Sequence, residues 1–256
     1  VYYYVGYSKL AASGVIKPGE MIDIAVPTGN FGNIFAAYLA CRMGLPVRRL
    51  ICASNSNNIL TDFLSTGVYD RNRAFHTTMS PSMDILISSN LERLIYLMTD
   101  AKTTASLMSR LSETGKYEVP AGVLDRIHDK FVGFCADEAE TASAIKRHYE
   151  RDGYLCDTHT AVALSCVDGY LTGCTGSDRL PVLTASTASP YKFAGDVWGS
   201  LTGKNAPEEA AALEALSQLT RTDIPTPLAG LEERRIVFDR VCDVADMAHD
   251  VLSALK

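Results

Sequence analysis

No run of apolar residues in this 256-residue chain approaches the ~20 that a membrane-spanning helix needs. Its seven cysteines, Cys41, Cys52, Cys135, Cys156, Cys166, Cys174 and Cys242, are odd in number, scattered, and form no CxxC pair. They read as small buried hydrophobes in a reducing compartment rather than a disulfide frame or a zinc site. The five histidines show no HExxH spacing, so no metal is implied. Both the GKS/T of a Walker loop and GxGxxG are absent. Positive charge is not in excess: 24 Lys and Arg against 30 Asp and Glu leave a net charge of −6. A general nucleic-acid binder needs clustered cations, so that class is disfavoured. No initiator Met, signal peptide or cleavage site is in view; the chain opens on Val1, inside what reads as the middle of a helix. The expectation is a cytoplasmic protein of which this chain is one part.

What is present is ordinary globular material. Hydrophobic residues make up 47% and charged residues 21%, which excludes disorder and supplies the core of one α/β domain over 1–256. Residues 1–13 read as a Tyr-rich helix stopped by Gly14, and MIDIAV (21–26) as a buried parallel strand. A Gly/Asn loop, an apolar helix (34–43) and a second strand, RRLICAS (48–54), complete a βαβ unit. The stretch 54–90, dense in Ser, Asn and Thr, is too long and polar to be only a connection. A helical segment is expected over about 91–152, with one stripe on Leu91, Leu94, Ile95 and Met98 and another on Leu124, Ile127, Phe131 and Phe134. Asp137 and Glu140 resemble a capping box for a helix ending near Gly153, and Asp157 suits the N-cap of a helix to about Thr172. RLPVLTAS (179–186) is a further strand, Pro190 opens a helix, and two more helices follow at about 207–221 and 239–255.

Pro27-Thr28-Gly29-Asn30-Phe31-Gly32-Asn33 lies between a buried strand and a helix start. Its two glycines can take positive φ and let the backbone approach a ligand. The helix behind offers unpaired N–H groups and the positive end of its dipole, so the loop suits a phosphate as well as a tight structural turn. A dinucleotide is disfavoured, because Arg49 to Ser56 contains no acid to bind a ribose.

VPTGNFGNIFAAYLACRMGLPVRRLICASNSNN resembles the phosphate-loop region of threonine synthase, a pyridoxal 5'-phosphate (PLP) enzyme of fold type II, the tryptophan-synthase-β fold. SPSMDILISSNLERL (80–94), GYLCDTHTAVAL (153–164), TASTASPYKFA (184–194) and IPTPLAGLEERR (224–235) agree in order. The resemblance implies a three-layer α/β large domain: an open, mostly parallel sheet with helices on both faces. It implies PLP as cofactor, with Gly29, Asn30, Phe31, Gly32 and Asn33 around its phosphate and the Thr187 hydroxyl on its ring nitrogen. By pattern alone, Thr187 is a strand-end hydroxyl capping the helix at Pro190. Asn55, Asn57 and Asn58 are either substrate-orienting amides or loop formers. Ser80, Ser82 and Asp84 hold a polar substrate, or make an ST-turn and a helix cap. His159 is a packed histidine by itself and a neighbour of the cofactor by resemblance.

The implied reaction converts O-phospho-L-homoserine and water to L-threonine and phosphate, a carbon–oxygen lyase step of threonine biosynthesis. The family's Schiff-base lysine lies upstream of the phosphate loop, and none of the chain's lysines, Lys192 included, is at its position. The chain is therefore expected to lack the catalytic nucleophile, to be inactive alone, and to need the missing N-terminal half as its partner, with no nucleic acid or membrane involved. Two alternatives remain open. One is another enzyme of this fold, such as a serine or threonine dehydratase or a threonine-synthase-like phospho-lyase; the other is a non-catalytic scaffold.

Overall fold

The computed structural model describes residues 1–237 and 240–255. Helix α1 (Tyr2–Ala12) precedes strand β1 (Ile22–Pro27), all six residues of which are buried. Helix α2 (Gly32–Arg42) and strand β2 (Val47–Ser54) complete the expected unit, with β1 and β2 parallel and Ile24 opposite Leu50. The polar stretch after β2 is indeed more than a connection. It holds helix α3 (Ile59–Thr66), closed by Gly67 at φ 75°, and the short strand β3 (Val68–Asp70). Helices α4 (Leu91–Met98) and α5 (Ala101–Thr114), strand β4 (Lys116–Glu118) and helix α6 (Ala121–Lys130) follow, with β4 antiparallel to β3. Next come strand β5 (Phe131–Cys135), helices α7 (Glu138–Asp152) and α8 (Thr158–Thr172), strand β6 (Val182–Thr184), and helices α9 (Ala194–Thr202), α10 (Glu209–Thr220) and α11 (Met247–Ala254).

The main sheet runs β5-β2-β1-β6 and every pair in it is parallel. Alternation along the strands sends Ile22, Ile24, Val26, Leu50 and Cys52 to one face, packed with Ile34, Ala37, Ile59 and Phe63 of α2 and α3. Ala25, Ile51 and Ala53 face the other way, onto Val162, Ala163 and Val167 of α8. This is the expected three-layer arrangement, and strands covered on both faces account for the nearly unbroken apolar runs. At the opposite end of β1 from the loop, Asp23 is fully buried and paired with Arg48 at 2.6 Å, with the Tyr170 hydroxyl donating at 2.9 Å.

The helical segment expected over 91–152 is interrupted. Phe131 leaves α6 with extended dihedrals (φ −108°, ψ 149°), and FVGFC joins the sheet edge with Phe131 opposite Leu50 and Cys135 opposite Ser54. The spacing 124, 127, 131, 134 imitates a helical stripe, but Phe131 and Phe134 enter the cores on opposite faces of the sheet, as residues three apart on a strand must. The capping box at Asp137 and Glu140 is formed, and Asp157 caps α8. Of the last expected helix, residue 239 lies outside the described residues, and the helix itself begins at Met247. Cys52, Cys156 and Cys166 are buried, and burial pushes the thiols of the first two up to about 12; Cys135 and Cys242 are exposed, against expectation.

Taken as one domain from sequence, the chain divides into two compact units, Val1–Asp223 and Ile224–Lys256. The sheet and every buried residue described belong to the first. In the second, no described residue is buried, although Ile236, Val241, Val244, Val251 and Leu252 are apolar: a segment of this length is too short to enclose a core of its own.

Candidate functional site

β1 lies between β2 and β6, and its own connection leads through α2 to β2, while β6 is reached from β5 by α7 and α8. The C-terminal ends of β1 and β6 therefore flank a point where the connections part, the place where open parallel sheets leave a crevice. Residues 28–31 follow β1 into this crevice. The carbonyls there are held by the protein: Gly29 O accepts from Ser88 Oγ at 2.7 Å, and Asn30 O from Asn90 N and Nδ2 at 3.1 and 2.7 Å. By contrast, none of the six successive N–H groups from Gly29 to Ile34 meets an acceptor among the described residues. No acidic side chain stands in the first turn of α2 to compete for them.

The left-handed backbone expected of the glycines belongs to Phe31 (φ 62°), the N-cap of α2. Its ring is buried, 5.8 Å from that of Phe131, which fixes a conformation uncommon outside glycine. Gly29 is needed for a different reason: a Cβ there would lie 2.5 Å from the Ser82 carbonyl oxygen. Among the described residues nothing requires glycine at 32, where a Cβ would meet only the Asn90 side chain, its Nδ2 at an ordinary 3.4 Å. Space in front of Gly32, unpaired N–H groups and the helix dipole together fit a phosphate. Asn33 turns aside, its Oδ1 accepting from the Tyr3 hydroxyl at 2.6 Å.

Asn55, Asn57 and Asp84 meet in one buried network. Asp84 receives four hydrogen bonds, from Asn55 Nδ2 (2.7 Å), Asn57 Nδ2 (3.0 Å), Thr78 Oγ1 (2.7 Å) and Thr78 N (2.9 Å). Asn55 Oδ1 accepts from Asn57 N, and Asn57 Oδ1 from His76 N. Ser80 Oγ accepts from Asn55 Nδ2 at 3.0 Å. These groups close the 76–84 loop on itself, which is the loop-forming alternative for the asparagines. Asn58 stands apart, accepting from Arg73. Ser82 N–H donates to His159 Nε2 at 3.1 Å. Burial alone would raise the Asp157 carboxyl, but hydrogen bonds from His159 and Thr160 outweigh it and hold it below the ordinary value of 3.8.

Thr187 lies two residues beyond Ala185, whose N–H binds Ala25 O, and its hydroxyl has no partner among the described residues. The cap at Pro190 is made instead by Ser189, which accepts from Tyr191 N. Lys192 Nζ sits 5.4 Å from the centre of the Phe193 ring, itself 4.8 Å from the His159 ring. Sequence reasoning missed Tyr3, Thr78, Ser88, Asn90 and Glu138. The carboxylate of Glu138, raised by burial, accepts from Met79 N at 2.9 Å. Ser88 and Asn90 fall inside SPSMDILISSNLERL, so that segment carried their signal. A cleft of about 720 Å³ lined in part by Met21, Cys41, Val47 and Lys130 opens at the other end of the strands; Lys130 is already spent there on Val47 O and Arg48 O.

No family model matches the chain. It is 37% identical to the threonine synthase of Pseudomonas aeruginosa, with 75% of this chain and 39% of that protein aligned. The yeast threonine synthase is 32% identical over 91% of this chain and 50% of that one. The chain is homologous to the threonine synthases. Human threonine synthase-like 1 is 40% identical over 83% of this chain and 28% of that protein. Among solved structures, PLP-bound threonine synthase from Brucella melitensis is similar with a TM-score of 0.69 and 33% identity, covering 86% of this chain and 50% of that chain. The yeast enzyme gives a TM-score of 0.72 at 32% identity, covering 85% and 46%. Its parallel sheet with flanking helices is thus that of threonine synthase, PLP fold type II. The chain spans at most half the length of these relatives.

Proposed function

We propose that this chain supplies the phosphate-holding domain of a PLP-dependent threonine synthase acting on O-phospho-L-homoserine. One observation carries the reading: the row of unpaired N–H groups from Gly29 to Ile34, beside the Gly29 and Asn30 carbonyls that Ser88 and Asn90 hold. Backbone donors at a helix N-terminus bind a phosphate without paying side-chain entropy. Gly29, Asn30, Phe31, Gly32 and Asn33 cradle the cofactor's phosphate, and the Thr187 hydroxyl faces its ring nitrogen. When bound, PLP supplies an electron sink for the carbon chemistry; a hydroxyl partner leaves the ring nitrogen less firmly protonated than a carboxylate would. Asn55, Asn57 and Asp84 shape the wall against which substrate lies, with Ser82 presenting its hydroxyl beside it. The lysine that the chemistry requires comes from the part of the relatives this chain does not span, so the chain alone turns over no substrate.

Calorimetry with PLP and with pyridoxal, which lacks the phosphate, tests the cradle. PLP binds, pyridoxal binds more weakly, and Gly32→Val weakens PLP by about tenfold or more, the loss of one charge-assisted hydrogen bond or two. Equal binding of the two compounds, or full affinity in a folded Gly32→Val chain, overturns the assignment. Borohydride treatment with PLP followed by peptide mapping fixes no lysine; a single modified Lys192 refutes the upstream origin of the amine. A second reading is a threonine-synthase-like phospho-lyase that forms a 2-oxo acid in place of threonine, prompted by the 40% identity to threonine synthase-like 1. Assay of the gene's full product for threonine against 2-oxobutyrate separates the two.

A further inference from the structure

Ser82 is fastened to α8 by a side chain. Its N–H donates to His159 Nε2, and an acceptor there leaves the imidazole proton on Nδ1. Nδ1 lies 3.2 Å from Asp157 Oδ1 and 3.3 Å from Thr158 Oγ1. Asp157 is itself fixed, because its carboxylate accepts from His159 N at 2.9 Å, from Thr160 N at 3.3 Å and from the Thr160 hydroxyl. The Phe193 ring packs against the imidazole, 4.8 Å away between centroids. On the other side of this bond, the Ser82 carbonyl and the Met83 Cα occupy the space that a side chain at residue 29 would take, 2.5 and 3.2 Å from the ideal Cβ position. Asp157, His159, Ser82 and Gly29 thus form one continuous mechanical chain from the start of α8 to the start of the phosphate loop. The Nε2 lone pair that a base or a substrate ligand would use is already spent on Ser82.

We propose that His159 is a positioning residue: through Asp157 and Ser82 it sets where the 82–83 backbone meets Gly29, and so the direction in which Gly29 to Ile34 present their N–H groups. The proposal rests on the phosphate-cradle reading, and His159 suits it because the Nε2 of a buried ring accepts the Ser82 backbone N–H and holds it in place. Two readouts test it in the chain as it stands: the amide NMR resonances of Ser82 and Gly29–Ile34 without ligand, and PLP affinity by calorimetry. His159→Ala displaces those resonances and weakens PLP by about tenfold, the worth of one hydrogen bond that aligns the donors. His159→Gln, whose amide oxygen can take the Ser82 N–H, keeps both near the parent. Unchanged Gly29–Ile34 resonances in folded His159→Ala, or displacement by Gln equal to that by Ala, overturns the proposal. If His159→Ala does not fold, Asp157→Asn takes its place, keeping the cap on α8 while losing the charge that holds the proton on Nδ1; it is expected to displace the same resonances, and unchanged ones overturn the proposal. Should the parent bind no PLP at all, the cradle reading falls and the resonances alone decide the role of His159.

Discussion

Asp157 shows how much one buried carboxylate is asked to do: it caps a helix, orients an imidazole and receives the Thr160 hydroxyl. Its carboxyl is held below the ordinary 3.8, so its ionised form is favoured more in the folded chain than in the unfolded one. The stabilisation is therefore complete above the unfolded value and is lost as pH falls through the folded one. The urea midpoint is expected to fall further between pH 7 and about pH 3 for the parent than for Asp157→Asn, the parent's advantage being present at pH 7 and shrinking in acid. The same residue was legible as a cap in the sequence, since Asp before an apolar helical run has one common use. Phe31 was not. GNFGN points to a phosphate loop, but which residue goes left-handed depends on the pull of the Phe131 ring across the core, and that neighbour is 100 residues away.

At the scale of elements, β5 is the instructive case. FVGFC has the composition of a strand, yet its phenylalanines extend the spacing of α6, and only pairing with Leu50–Ser54 decides between the two. Gly133 is the point of closest approach: a Cβ there would lie 2.8 Å from Thr61 Cα, backbone that cannot swing aside. Gly133→Ala is expected to destabilise the fold by about 1–3 kcal/mol by forcing α3 away from β5, read as a lower urea midpoint with unchanged slope. A midpoint equal to the parent's shows that α3 moves freely. The helix ends fared better because caps are local: Asp137 with Glu140, and Gly153 at φ 65°, bound α7 within a few residues of the expected limits.

Over the whole molecule, the buried residues described all precede Asp223, and 224–255 contributes none. A chain ending at Asp223 is expected to fold with the parent's urea midpoint to within about 0.5 kcal/mol, the scatter of changes away from a core. A collapse of the far-UV signal on truncation contradicts this. By itself the sequence determined the α/β class, the glycine-bearing loop between β1 and α2 and the caps of α7 and α8, because hydrophobic period, glycine spacing and capping chemistry act over a few residues. Only the tertiary structure decided that Asn55, Asn57 and Asp84 spend their hydrogen bonds on one another and that Ser88 and Asn90 hold the loop carbonyls. It also decided that His159 faces Ser82. A polar side chain satisfies whichever partner the folded backbone brings within 3 Å or so, and no local pattern encodes a partner that lies 25 to 77 residues away.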